Sequence, residues 1–204
     1  MIDYYSKGKD EKAPTFFMLH GTGGTEKDLL PVASRISPDS SVLSVRGNVL
    51  ENGMPRFFKR LAEGVFDEED LRYRTRELKN YLEEAAIKYG FERQNMVVIG
   101  YSNGANMAGS LLFHYEDVFA GAILLHPMVP LRKISLPEMT NLPIFIGAGK
   151  NDPICPPEET KELEQMLAMK NADVKVHWGN DGHQLTYAEV DAAAAWFRKR
   201  FRFS

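Results

Sequence analysis

A serine flanked by glycines is the residue in this chain best placed to do chemistry. Gly100-Tyr101-Ser102-Asn103-Gly104 follows directly on the apolar run Met96-Val97-Val98-Ile99 and precedes a helical pattern from Ala105 to Tyr115. A strand, then Gly-x-Ser-x-Gly, then a helix makes a sharp, strained turn that lifts the serine oxygen above the end of a sheet. Bulky side chains two positions to either side of Ser102 would meet neighbouring backbone, so Gly100 and Gly104 have a steric reason to be glycine. A serine hydroxyl is a poor nucleophile at neutral pH. It needs a base, usually histidine, and a carboxylate that holds the imidazole in the right tautomer.

This turn is the nucleophile elbow of α/β-hydrolases, in which the chain order is serine, acid, histidine. Asp152 meets the demand for an acid. It sits in Gly147-Ala148-Gly149-Lys150-Asn151-Asp152-Pro153, just past the strand pattern Ile144–Ile146. A competing reading makes Asp152 the cap of the helix beginning near Glu158, but that helix starts several residues later and Pro156-Pro157 already open it. His183 meets the demand for a base, in Gly179-Asn180-Asp181-Gly182-His183 after the strand pattern Val174–Trp178. The other four histidines fit less well. His20 precedes Ser102, His114 lies within a helix, His126 follows its strand but precedes the acid, and His177 lies within a strand. Those four read as satisfied core or loop histidines.

A tetrahedral intermediate needs preorganised donors for its oxyanion. The elbow supplies the backbone N–H of Asn103, and the loop after the first clear strand supplies another. That loop is His20-Gly21-Thr22-Gly23-Gly24-Thr25, with Thr22 N–H as the first candidate and Gly23 N–H as the alternative. A dinucleotide loop fails on spacing, because Glu26 stands where a third glycine is required, and no Gly-Lys-Ser/Thr occurs. A metal site from His177, Asp181 and His183 matches no defensible ligand spacing. Cys155 has no elbow around it and reads as an inert thiol near the site.

These residues need a scaffold that brings loops after strands to one edge. Strand patterns at Phe16–Leu19, Ser41–Val45, Met96–Ile99, Ala122–Leu125, Ile144–Ile146 and Val174–Trp178 alternate with helical ones. The helical patterns are Glu26–Ile36, Asp67–Tyr89, Ala105–Tyr115, Glu158–Lys170 and Thr186–Phe201. Short apolar strands separated by helices predict a mostly parallel sheet covered on both faces. Right-handed crossovers then put the functional loops on one edge. Two segments lack this regularity. Gly47–Phe66 has a weak helical pattern around Phe57, Phe58 and Leu61, and could form a partial lid. His126–Leu142 has three prolines and is too short for a separate cap.

The chain has 204 residues, a length that fits one domain spanning 1–204. Net charge is −3 and pI about 6.0, which gives no general surface for nucleic acid or anionic membrane. The basic stretch Arg198–Arg202 reads as the solvated end of the last helix. The N-terminus has no apolar core for a signal peptide, and no apolar run approaches the ~18 residues of a membrane span. One cysteine excludes an internal disulfide and fits a reducing, cytoplasmic compartment.

His20-Gly21-Thr22-Gly23-Gly24, the elbow, Gly149-Lys150-Asn151-Asp152-Pro153 and Gly182-His183 occur in that order. Together they resemble the phospholipase/carboxylesterase family of small α/β-hydrolases, which also holds the acyl-protein thioesterases. The stretch Met54–Leu61 through Phe66–Leu71 is similar to bacterial carboxylesterases linked to quinone and hydroquinone resistance. The resemblance implies a capless serine esterase with triad Ser102, Asp152 and His183, no metal and no cofactor. It also implies that the loop from Met54 to Leu61 lines the acyl or alcohol pocket, with Gly23 as a further substrate contact. Phe57, Phe58 and Leu61 either shape that pocket or pack onto the helix starting at Asp67, and the lack of a cap insertion after Leu125 points to a small-to-medium pocket. The expected partner is a small-molecule ester. Thioesters or lysophospholipids are the alternative, as is ligand binding without catalysis, and a homodimer is left open. Asn103 departs from relatives that carry glutamine after the nucleophile, and Tyr101 departs from those with phenylalanine before it.

Overall fold

Phe16-Phe17-Met18-Leu19 is apolar at every position, so neither face of that strand tolerates water. The computed structural model, which describes residues 1–201, places it inside a seven-stranded sheet. In chain order the sheet strands are β1 (Ile2–Ser6), β2 (Thr15–Leu19) and β3 (Val42–Arg46). Two small hairpins follow outside the sheet, β4 (Val49–Glu51) with β5 (Met54–Arg56), and β6 (Arg60–Ala62) with β7 (Val65–Phe66). The sheet resumes with β8 (Met96–Tyr101), β9 (Gly121–Leu125), β10 (Pro143–Gly149) and β11 (Asp173–Gly179). The spatial order is β1-β3-β2-β8-β9-β10-β11. Within this sheet, among the described residues, β1 alone is antiparallel to its neighbour.

Five helices cover the sheet: α1 (Leu30–Ile36), α2 (Glu68–Tyr89), α3 (Asn103–His114), α4 (Pro157–Ala168) and α5 (Tyr187–Arg200). Strand side chains alternate between faces. Phe17, Leu19, Val98 and Ile146 pack with Leu71 and Leu78 of α2, Leu111 of α3 and Leu163 of α4. Phe16, Met18, Ile99 and Phe145 pack on the other face with Val32 and Ile36 of α1 and Val190 and Phe197 of α5. This is the mostly parallel, helix-covered α/β-hydrolase architecture, and no separate cap follows β9. The crossover from 126 to 142 stays against the body, where Met128 N–H donates to Asn106 Oδ1 at 2.7 Å and Val129 N–H to Glu159 Oε2 at 2.9 Å. Arg202 of the basic stretch lies outside the described residues, while Arg198 and Lys199 are exposed and Arg200 pairs with Asp173.

Three expectations are corrected. The sheet gains β1, whose side chains alternate between half-buried and exposed because it is an edge strand. The helix expected from Glu26 begins only at Leu30, because a turn held by Thr25 Oγ1 donating to Asp28 Oδ1 at 2.6 Å precedes it. The segment 47–66 forms two hairpins where the sequence carries a weak helical pattern. Of the two places open to it, pocket wall or core against α2, Phe58 takes the core: it is fully buried, shares a cluster with Leu71 and Leu78, and meets Phe66 edge-on at 5.1 Å. Phe57 is buried too, against His20 at 4.8 Å. Phe58→Ala should therefore cost about 3–5 kcal/mol and lower Tm by roughly 6–20 °C. Thermal melts read this directly, and chain-length preference should hold.

Candidate active site

The turn after β8 is as tight as its glycines require. Ser102 has φ +52° and ψ −115°, a conformation outside the usual regions for a side-chain-bearing residue. Its N–H donates to Leu125 O at 2.8 Å, which ties the elbow to the end of β9. A Cβ at Gly104 would overlap the Leu19 carbonyl, and one at Gly100 would meet Gly104 O. The strain at Ser102 is thus held by close backbone approach on both sides.

His183 Nε2 lies 2.8 Å from Ser102 Oγ, and His183 Nδ1 lies 2.7 Å from Asp152 Oδ2. An ionised carboxylate only accepts, so Nδ1 carries the proton and Nε2 is left to accept from the Ser102 hydroxyl. Asp152 is fully buried, and its Oδ1 accepts from the N–H groups of Ile154 at 2.8 Å and Cys155 at 2.9 Å. Burial pushes the Asp152 carboxyl up, but the donors Cys155 N–H, His183, His126 and Ile154 N–H outweigh it and hold it below the usual carboxylate range. The N-cap of α4 is Pro156, so Asp152 does not cap that helix.

The glycine loop after β2 is fastened to the first hairpin. Gly23 N–H donates to Pro55 O at 2.9 Å, which occupies the alternative oxyanion donor. Arg56, buried in the hairpin, donates from Nη1 to Thr22 Oγ1 at 2.7 Å and from Nε to Phe58 O at 3.2 Å. Asn103 opens α3, so its backbone N–H has no carbonyl four residues back within the helix. Its side-chain Oδ1 accepts from Phe57 N–H at 2.8 Å. Asn103, next to Ser102, and Thr22 and Gly23 in the loop thus share one clamp, the β4–β5 hairpin and the residue that follows it. Met54 is exposed on that hairpin, with its Sδ 3.6 Å from where a Cβ on Gly23 would stand. Leu61 is 74% exposed on the second hairpin.

His20 is buried, accepts from Gly47 N–H at 3.0 Å through Nε2 and donates from Nδ1 to Gly21 O at 2.6 Å. It joins the loop after β2 to the end of β3. Burial pulls its proton affinity down and keeps it neutral. His177 stacks on Phe145 and does not converge with Asp181 and His183. The Cys155 thiol is buried, donates to His126 O at 3.3 Å and is pushed far up by that burial, which makes it unreactive.

Sequence reasoning passed over three neighbours. Tyr101 O–H donates to His183 O at 2.6 Å and so steadies the loop that carries His183. Burial, then the charges of Glu189 and Asp152, push its hydroxyl up to about 12. His126 and Glu189 stand behind Asp152, and only the folded chain brings them there. A polar residue in the first turn of the last helix gives no sign in sequence that it is buried.

The matches to known proteins follow the same pattern. The Bacillus subtilis (strain 168) protein "Putative hydrolase MhqD" is 56% identical over 199 residues, 98% of each chain. A crystal structure of the Bacillus cereus carboxylesterase superposes with TM-score 0.96 at 58% identity, covering 98% of this chain and 94% of that one. Acyl-protein thioesterase 1 of Cryptococcus neoformans is more distant, 25% identical over 167 residues, covering 72% of this chain and 69% of that one. The likeness to carboxylesterases and acyl-protein thioesterases read from the motifs is borne out. With residues 56–197 matched by the dienelactone hydrolase family, the chain belongs to that family, as a hydrolase of the carboxylesterase type.

Proposed function

We propose that the chain is a serine hydrolase that cleaves short-to-medium carboxylic esters through an acyl-enzyme on Ser102. The observation that carries this reading is the unbroken line from Ser102 Oγ through His183 to a buried Asp152. Ser102 Oγ attacks the acyl carbonyl while His183 Nε2 takes its proton. The oxyanion sits between the N–H groups of Asn103 and Thr22. His183 then protonates the departing alkoxide. Water, activated by the same imidazole, attacks the acyl carbonyl and returns Ser102.

Thr22 N–H is favoured over Gly23 N–H because Gly23 is already bonded to Pro55 O. Met54 and the hairpin around it form the rim of the acyl or alcohol pocket, and no cap roofs a long groove. A panel of p-nitrophenyl esters of increasing chain length tests the pocket. Turnover should peak at short-to-medium acids, and a strong preference for sixteen-carbon esters would contradict it. The thioesterase reading rests on the acyl-protein thioesterase relative, and a higher kcat/KM on matched thioesters would favour it. The proposal also includes a small-molecule ester as the substrate and a cytoplasmic setting. The single cysteine is free, and among the described residues no helix is long and apolar enough to cross a membrane.

The clamp on the glycine loop gives a further expectation. Arg56→Met removes the bond to Thr22 Oγ1 and lets the oxyanion donor drift. Drift on the scale of an ångström costs about 10²-fold, so kcat should fall by roughly 10–100-fold with a smaller change in KM. Steady-state kinetics on one soluble ester check this.

A further inference from the structure

One hydrogen-bond chain runs past the point where the reaction needs it. Asp152 Oδ2 accepts from His183 Nδ1 at 2.7 Å and faces His126 Nδ1 at 2.8 Å. His126 Nε2 in turn faces Glu189 Oε2 at 3.3 Å. The side chains of His126 and Glu189 are 4% and 6% exposed, so both groups are largely withdrawn from bulk solvent.

Proton counting constrains this chain. A neutral imidazole donates from one nitrogen only, and an ionised carboxylate donates from neither oxygen. Both nitrogens of His126 face carboxylate oxygens. Without one more proton between His126 and Glu189, a lone pair would oppose a buried charge. That proton completes the chain when it sits on His126, as an imidazolium held between the carboxylates of Asp152 and Glu189. Burial works against charge on His126. The bond and charge of Glu189, then those of Asp152, outweigh it and hold the ring's proton affinity above that of an ordinary histidine.

The fold builds this arm from separate elements. His126 follows β9 directly, in the left-handed region at φ +54°, and its N–H donates to Gly147 O at 2.8 Å. The Glu189 carboxylate occupies space that a Cβ on Gly147 would fill. Glu189 lies in the first turn of α5, where Thr186 Oγ1 accepts from its N–H at 3.2 Å. The titratable groups facing His126 are Asp152, Glu189, His183 with ring centres 5.1 Å apart, and Tyr101 with ring centres 5.9 Å apart. Cys155 binds its carbonyl, and Asp181 lines a cavity of about 10 Å³ that His126 shares.

We propose that His126 is a positioning residue for the catalytic base, and that the proton it shares with Glu189 sets the pH at which the Ser102–His183 pair works. The proposal rests on the triad reading above. His126 fixes the rotation of the Asp152 carboxylate and draws charge from the oxygen that also holds His183. A shared oxygen supports a protonated His183 less strongly than an unshared one. Weakening the His126 donor should therefore favour proton uptake by the base and move the acid limb of kcat/KM to higher pH.

The experiment is the pH profile of kcat/KM on one p-nitrophenyl ester, with thermal melts, for wild type, Glu189→Gln, His126→Asn and His126→Phe. Glutamine keeps the shape of Glu189 and can donate to Nε2, leaving a neutral ring that still donates to Asp152. Asparagine tolerates the left-handed backbone and keeps an amide donor. Phenylalanine keeps volume and removes the donor. The acid limb should rise by about half a pH unit or more in Glu189→Gln and His126→Asn, and further in His126→Phe. A purely structural arm would lower Tm and leave the limb where it is. If His126→Phe does not fold, the two conservative variants decide. Folded conservative variants whose acid limbs coincide with that of wild type would overturn the proposal. Ser102→Ala, run alongside, separates the two ideas. Retained turnover there would sink the triad reading itself, whereas a dead Ser102→Ala with unmoved limbs would sink only the role of His126.

Discussion

Ser102→Ala is expected to lower kcat by about four to six orders of magnitude while leaving Tm nearly unchanged. The side chain is half-buried at the top of the elbow, and its Oγ meets His183 Nε2 at 2.8 Å. Alanine keeps the Cβ and the backbone strain, so the elbow itself has no reason to relax. What survives is the contribution of the Asn103 and Thr22 donors, which hold a carbonyl but supply no nucleophile. Steady-state kinetics on a short ester, paired with a melt, check both halves. More than a tenth of wild-type kcat in the folded variant would contradict the assignment.

Asp152→Asn should cost about 10⁴-fold in kcat, and the reason is tautomeric. Oδ1 can still accept from Ile154 and Cys155, which leaves the amide NH₂ facing His183 and His126. Each imidazole must then present a bare Nδ1, and the proton of His183 moves to Nε2, where it faces Ser102. The base cannot accept from the nucleophile. Adding Ser102→Ala to this variant should cost little more than Ser102→Ala alone, because the residues act as one unit. Multiplicative losses would contradict a shared triad. A pH effect on stability follows as well. The Asp152 carboxyl lies below its ordinary range in the folded chain. Its stabilisation is present above the unfolded carboxylate pKa and is lost as pH falls through the folded one. Tm should thus fall less steeply with acid in Asp152→Asn than in wild type.

The elbow was legible because its demands are steric and local: two glycines, a serine, a strand before and a helix after. Asp152 and His183 were legible because chain order and the ends of strands restrict where they can stand. The layout of 47–66 was not. Phe57, Phe58 and Leu61 carry the apolar character of either a short helix or a hairpin, and short apolar runs do not distinguish the two. Pairing of β4 with β5, the bond from Gly23 N–H to Pro55 O and the bond from Phe57 N–H to Asn103 decide for the hairpin. β1 hid for a different reason, since an edge strand with one half-buried face need not be apolar throughout. His126 was set aside because it precedes the acid in sequence. That rule locates a base but says nothing of a second imidazole reaching the same carboxylate from the neighbouring strand. Glu189 sits one turn into a helix whose exposed face is charged, and Gly147, 42 positions earlier in the chain, is what makes room for it.

The central claim is that Ser102 becomes acylated, and covalent labelling tests it most directly. Wild-type protein treated with a fluorophosphonate probe should gain one adduct by intact mass, mapped by peptide sequencing to Ser102. Ser102→Ala should gain none under the same conditions. No adduct on folded wild-type protein, or an adduct that persists in Ser102→Ala, would contradict the account.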